Sequence, residues 1–376
     1  MYDAIVLGLG GIGSAAVYHL SGRGLRVLGL DQFGPGHALG SSHGQTRIIR
    51  QAYFEHPVYV PMAQQAFELW AELEARSGAS LYQETGLLQI GAADGEVIAG
   101  VSRSAAEHRL EIERLTPDEA MSRFPGFKVL PDQTAVFERR AGYLRVEACV
   151  QAHLDEAKRR GAALRFEEPV RRWTAHAGGV EVESDRGIYR AERLMIAAGA
   201  WSSAALADLR LPLEVLRKPM LWYRPTGDDY RRERGTPCFL YEAAGHIYYG
   251  FPQIGPEGVK VAEHTLGLHV DDPSSVDRRV HDDDRQPVEA FISAYLPRLS
   301  SECTQSSVCM YTVTPDRNFI VDRHPRWPHV AIVAGLSGHG FKFAGVLGKA
   351  LADLAVDGRC GWPVERFGLQ RAALRS

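Results

Sequence analysis

The apolar positions of the first thirty residues keep two different rhythms. Residues 2–7 (YDAIVL) form a continuous apolar run of strand length, residues 14–24 (SAAVYHLSGRG) space their apolar side chains as a helix does, and residues 25–30 return to a strand-like run. The pattern predicts strand, turn, helix, strand. Further along, helical spacing marks residues 59–75 and 145–160, and in LTPDEAMSRF, Thr116, Pro117 and Glu119 supply the N-cap, first-turn proline and capping-box acid of a helix start. Short strands are expected at 163–166, 180–184 and 187–191, and a buried parallel strand from Arg193 ends in small residues at Gly199–Trp201. Residues 219–261 alternate like antiparallel strands (MLWY, CFLY, HIYYGF, VKVA). The acidic stretch VDDPSSVDRRVHDDDR reads as a solvated loop leading to a helix at about 287–295, and a strand at 330–334 runs through a glycine turn into an apolar helix.

These elements predict an α/β plus α+β molecule with two domains. A discontinuous Rossmann-like domain would take residues 1–85, 146–218 and 320–376, and a mixed-sheet substrate domain residues 86–145 and 219–319. The glycines between the first strand and helix give this reading its chemistry. Gly8 suits a tight turn, Gly10 lets backbone approach a pyrophosphate, and Gly13 permits close helix-on-strand packing. The helix N-terminus offers N–H groups and a positive dipole to phosphates. Asp31, at the end of the second strand, can accept hydrogen bonds from ribose hydroxyls. NAD and FAD share this fingerprint, and Asp31 alone does not choose between them.

Composition narrows the partners. A formal net charge of -3 over 376 residues gives no basic field for nucleic acid or an anionic membrane, so small molecules are the expected ligands. No apolar run approaches the roughly 18 residues needed to cross a bilayer, and MYDAIVLGLGG enters a strand without a charged leader, so a cytoplasmic protein is expected. The five cysteines, Cys149, Cys238, Cys303, Cys309 and Cys360, are odd in number, widely spaced and without a CxxC, which fits neither a disulfide framework nor a zinc site.

Six stretches, GLGGIG, SSHGQTRIIRQAY, IYYGFP, GVKVAEHTLG, VCMYTVTPD and GLSGHGFKF, resemble in order and spacing the monomeric sarcosine oxidase family, whose members include N-methyltryptophan and pipecolate oxidases within the D-amino-acid oxidase-like superfamily. The likeness spans essentially the whole chain. It implies FAD as cofactor, tethered through an 8α-S-cysteinyl thioether at Cys309, and oxidation of a secondary amino acid to an imine with O2 reduced to H2O2. It implies that Arg50 and Lys342 hold the substrate carboxylate, that His43 and Arg47 sit against the isoalloxazine, and that Lys260 lies on the opposite face near N5, where oxygen is reduced. Tyr249, His264 and Gly338 should line the substrate side. The rest of the implied cofactor set is Ile12, Gln32, Ser42, Ile48, Val170, Ala198, Gly199, Trp201, Met310, Gly340 and Phe341. A monomer is expected, with no metal.

The six potentially cationic groups, His43, Arg47, Arg50, Lys260, His264 and Lys342, lie in apolar or glycine-rich segments, where charge needs an anion. A pocket of positive field also favours the neutral form of an alkyl amine, whose pKa would otherwise be about 10.4. No carboxylate occurs in the implied substrate contacts. Ser42 and Gln45 stand where the sarcosine enzymes carry histidine and aspartate, which leaves cyclic imino acids such as pipecolate or proline as alternative substrates beside sarcosine. An NAD-dependent dehydrogenase and a non-catalytic FAD-binding protein are the rival classes.

Overall fold

The computed structural model describes residues 1–362 and 364–375. Its first sheet has a parallel core in which Tyr2–Leu7 lies between Val27–Leu30 and Gly187–Ile196, with Ala163–Arg165 and Val330–Ala334 on the outer sides. The strand Gly187–Ile196 is continuous where the sequence pattern suggests two pieces. Its first half pairs antiparallel with Gly179–Ser184 and its second half runs parallel to Tyr2–Leu7, so one strand serves a hairpin and the nucleotide sheet. Helices Gly11–Ser21, Val146–Arg159 and Ala344–Asp357 pack together over this sheet, burying Ala16, Val17, Leu20, Leu154, Leu347 and Leu351.

Nine strands form the second sheet, in which Glu214–Pro225 pairs with both Val259–Glu263 and the long strand Leu299–Val313. The order continues from Val259–Glu263 through His246–Gly250, Cys238–Ala243 and Leu87–Ala92 to Gln133–Glu138. Because side chains alternate across a strand, this sheet has two different faces. Leu88, Ile90, Leu221, Tyr223, Phe239, Tyr241, Val259 and Val261 turn one way into a core closed by Phe291 and Ile292 of helix Asp282–Tyr295. The alternate positions belong to the other face, and cross-strand register carries it from strand to strand: Cys309 opposite Lys218, Trp222 opposite Lys260, and Leu240 opposite both Tyr249 and Gln89. The chemistry-bearing residues therefore share one face.

The three consecutive aspartates are not the solvated loop expected of them. Asp282, Asp283 and Asp284 form the first turn of helix Asp282–Tyr295, which begins five residues before the expected start and contains Pro287. Carboxylates at a helix N-terminus meet its positive dipole end. Asp284 also accepts from the His281 N–H and binds both terminal nitrogens of Arg217, at 2.6 and 2.9 Å. The Arg217 and Asp284 side chains are only 5% and 9% exposed, which makes this a buried ion pair whose arginine would be stranded by loss of the acid.

Asp284→Ala should therefore lower stability by about 3 kcal/mol, read as a fall in the thermal unfolding midpoint. Glu302→Ala, which breaks the exposed Arg224–Glu302 pair, should move the midpoint little. Equal shifts for the two variants would refute the buried-pair assignment.

Candidate active site

A cavity of about 820 Å³ runs along the carboxyl ends of the parallel strands, the place where an open α/β sheet binds ligands. Gly8, Gly10 and Ile12 line it from the glycine turn, Asp31 and Gln32 from the second strand, and Ser42 and Arg47 from the loop beyond. Val170, Ala198, Gly199, Trp201, Met310, Gly338, Gly340 and Phe341 complete the expected lining. Gly13 stays outside the cavity and performs the packing role: a Cβ there would sit 1.7 Å from the Gly8 carbonyl oxygen. Ser42 Oγ accepts the Gly11 N–H at 3.0 Å, and Asp31 accepts from the N–H groups of Leu9 at 2.7 Å and Phe33 at 2.9 Å. A carboxylate has about four acceptor positions, so Asp31 retains capacity for ribose hydroxyls. The helix N-terminus, glycine cradle and elongated volume fit a dinucleotide.

The segment from Ser41 to Arg47 lies over the functional face of the second sheet. Arg47 donates to the carbonyls of Ser41 and Thr46, both at 2.9 Å, and approaches Cys309 Sγ at 3.3 Å. Lys260 Nζ donates to the carbonyls of Gly44 at 2.8 Å and Thr46 at 2.9 Å, and sits 4.2 Å from the centre of the Phe251 ring. Neither Lys260 nor His43 lines the cavity. Both are buried behind its wall, as is Cys309, while its neighbours Met310 and Tyr311 reach the lining. Among the described residues, His43 Nε2 has no hydrogen-bond partner. Between Gly44 and Thr46 the chain makes a γ-turn: Thr46 N–H donates to the Gly44 carbonyl at 2.9 Å, and Gln45 at its centre has φ of 70°. This rare, strained turn in a non-glycine residue costs on the order of 1–3 kcal/mol and persists only where its surroundings hold it.

A smaller cavity of about 60 Å³ adjoins the first and shares Arg47, Tyr311, Gly338 and Phe341 with it. Arg50, Tyr249, His264 and Lys342 all line it, and so does Ile48, which the resemblance implies only as a cofactor contact; Ile48 and Lys342 line this cavity and not the larger one. Four further lining residues are outside the expected set: Phe54, Glu55 and Leu240 fall outside the six motifs, and His339 lies within GLSGHGFKF. Glu55 changes the picture most, because a carboxylate does line this cavity. Arg50 Nη2 donates to both of its oxygens, at 2.8 and 2.6 Å, and the Arg50 side chain is only 4% exposed. Burial alone would raise the Glu55 pKa, but Arg50, then His339 and Lys342, outweigh it and hold it at about 2.

The field of the site is less uniformly cationic than the residue types suggest. Burial, reinforced by Arg47, drops His43 to about 3, and burial with Lys218 does the same to His264, so both imidazoles are neutral near pH 7. Burial followed by Arg50 brings Lys342 down to about 7, and burial followed by Arg47 sends Lys260 well below the usual lysine range. The two arginines remain as fixed charges. Lys342 Nζ donates to the His339 carbonyl at 2.9 Å and to Tyr53 Oη at 3.3 Å, and His264 Nδ1 lies 3.3 Å from Tyr311 Oη. Among the described residues, no group of three or more His, Cys, Asp or Glu could hold a metal, and no helix is long and apolar enough to cross a membrane.

Comparison with known proteins agrees with this geometry. The family model described as FAD dependent oxidoreductase (DAO) matches residues 3–354. Monomeric sarcosine oxidase from Streptomyces avermitilis is 43% identical over 377 residues, covering 99% of this chain and 98% of the relative. N-methyl-L-tryptophan oxidase from Yersinia pestis is 36% identical over 374 residues, covering 98% and 99%. In fold, the chain is similar to NikD, an amino acid oxidase essential for nikkomycin biosynthesis, with a TM-score of 0.87 at 24% identity over 98% of this chain and 97% of that one. Glycine oxidase from Geobacillus kaustophilus superposes with a TM-score of 0.82 at 21% identity over 98% of both chains. A dinucleotide cavity at the strand ends, an arginine-rich pocket opening from it and full-length likeness to named oxidases converge: the chain belongs to the DAO family of FAD-dependent oxidoreductases, in the group that contains the monomeric sarcosine oxidases.

Proposed function

We propose that this enzyme oxidises an N-methyl amino acid, sarcosine first, to an imine that water hydrolyses, with O2 reduced to H2O2. The observation that carries this reading is the convergence of Arg50 and Lys342 on a small cavity that opens into the cofactor cavity through Arg47, Tyr311, Gly338 and Phe341. FAD, when bound, supplies the two-electron acceptor between the amine and dioxygen. Everything else falls to the side chains.

Arg50 offers the substrate carboxylate a bidentate fork and Lys342 a point charge. To use its fork, the substrate must take Arg50 from Glu55, an exchange of one carboxylate for another that leaves the arginine paired throughout. Arg47 and Arg50 place positive charge near the amine and favour its neutral, reactive form without a dedicated base. Tyr249, Leu240 and Phe54 wall the remaining volume, and about 60 Å³ suits a small substrate side chain. Lys260, buried behind the cavity wall, would stabilise negative charge that develops beside it on the oxygen side. Cys309 would hold the cofactor covalently through its sulfur, giving up the S–H proton, with O2 as the acceptor of the two electrons that such a link releases. The nucleotide sheet and the nine-stranded sheet would act as the two domains, and a cytoplasmic monomer accommodates this chemistry.

Anaerobic bleaching of the flavin by sarcosine, but not by glycine, pipecolate or proline, supports the substrate assignment; pipecolate or proline bleaching it faster would move the assignment to a cyclic imino acid. Lys260→Met should reduce normally with substrate and reoxidise at least about a hundredfold more slowly in stopped flow, and equal losses in both half-reactions would contradict an oxygen-side role.

The Lys342 value near 7 gives a pH test for carboxylate binding. Below pH 7 the lysine is protonated and holds the anion; as pH rises above 7 it loses that proton, and a simple alkyl carboxylate titrated against the flavin spectrum should bind progressively more weakly. Lys342→Met should weaken binding at pH 6 and flatten the profile. An affinity constant from pH 6 to 9 in the unmodified enzyme would exclude Lys342 as the anion holder.

Cys309→Ala should give protein whose yellow colour washes out in denaturant, whereas the parent retains it. Colour retained by the variant would place the link elsewhere.

A further inference from the structure

The strained γ-turn at Gln45 is held from three sides, two of which lead to Lys260. The carbonyls that accept from Lys260 Nζ belong to Gly44 and Thr46, the residues on either side of Gln45. Carbonyls two residues apart in an extended chain point the same way but stand about 7 Å apart; these two converge on one amine because the chain reverses at Gln45, where φ is 70°. The start of helix Val146–Arg159 fixes this reversal from one side: Glu147 Oε1 accepts the N–H groups of Gly44 at 2.7 Å and Gln45 at 3.1 Å, and Val146 N–H donates to the Gln45 carbonyl at 3.0 Å.

The Gln45 side chain fixes it from the other side. Its Oε1 accepts the indole N–H of Trp222 at 3.0 Å. Trp222 stands directly opposite Lys260 in strand register, and its ring centre lies 5.6 Å from Nζ. Gln45 thus links the turn that supplies the lysine's acceptors to the ring that flanks the same lysine. From this closed arrangement we propose that Gln45, through Trp222, is a positioning residue for the oxygen half-reaction: it sets where the Lys260 amine sits behind the cofactor.

This rests on the reading of Lys260 as the oxygen-side residue. Asparagine tolerates the left-handed backbone but is one methylene shorter, so Gln45→Asn keeps the turn and gives up the indole bond. Phenylalanine at 222 keeps an aromatic ring and removes its N–H. The expected result in stopped flow is that Gln45→Asn and Trp222→Phe each slow reoxidation of the reduced enzyme by O2 about ten- to a hundredfold, the cost of a small misplacement. Anaerobic reduction by sarcosine should change less than about twofold, because that step takes place in the smaller cavity, which none of Gln45, Trp222 and Lys260 lines. The double variant should be no slower than the worse single one, since both remove the same bond.

Reoxidation at the parental rate in Gln45→Asn, equal losses in both half-reactions, or effects that multiply in the double variant would each overturn the proposal. Thermal unfolding and bound-flavin content of the same variants separate a collapsed turn from a displaced amine: a loss of flavin matching the loss of rate also counts against it. If Lys260→Met itself reoxidises normally, the oxygen-side reading falls and takes this inference with it; if Lys260→Met is slow while Gln45→Asn is not, only the positioning role fails.

Discussion

The site depends on burying the side-chain nitrogens of arginine and lysine where carboxylates are scarce. Lys260 and Arg47 lie between the nine-stranded sheet and the chain segment that crosses it, and most of their hydrogen bonds go to main-chain carbonyls of Ser41, Gly44 and Thr46. A carbonyl satisfies a donor without neutralising its charge, so the groups are hydrogen-bonded yet still respond to any anion that arrives. A carboxylate in place of those carbonyls would have left a rigid ion pair with little to offer a ligand. Where a carboxylate does occur, at Glu55, it sits on the arginine assigned to the substrate and has to be exchanged.

That constraint explains the backbone around it. Directing several carbonyls of one segment at two cationic side chains forces the chain into positive φ at Gly44 and Gln45. The strain is offset by contacts from the helix beginning at Val146 and from the second sheet, so the helix layer and the nine-stranded sheet meet at this turn. Alternation along the strands does the remainder: one face of the nine-stranded sheet packs its aromatics against helix Asp282–Tyr295, while the other presents Tyr311, Tyr249 and Leu240 to the cavities and keeps Cys309, Trp222 and Lys260 buried behind their wall.

Much of the cofactor half was legible in the chain. The glycine turn, the strand ending at Asp31 and the helix after Gly10 are local features, set by spacing within about thirty residues. The second half of the site was legible only as separate motifs whose residue types suggested an anion. Glu55 carried no signal, because nothing in EHPVYV distinguishes a surface glutamate from one folded back onto Arg50. The acidic run before residue 285 misled for a related reason. Three adjacent aspartates read as solvated, yet one of them meets Arg217, 67 positions earlier, and together they start a helix.

By itself the sequence determined the nucleotide fingerprint, the type of cofactor that fits it and the inventory of charged side chains, since each follows from residue identity and short-range spacing. Only the tertiary structure decided which of those charges persist. Burial beside Arg47 and Lys218 neutralises His43 and His264, burial beside Arg50 brings Lys342 to about 7, and pairing keeps Glu55 ionised. Desolvation and the field of neighbours depend on what folds around a group, and strands far apart in the chain supply both.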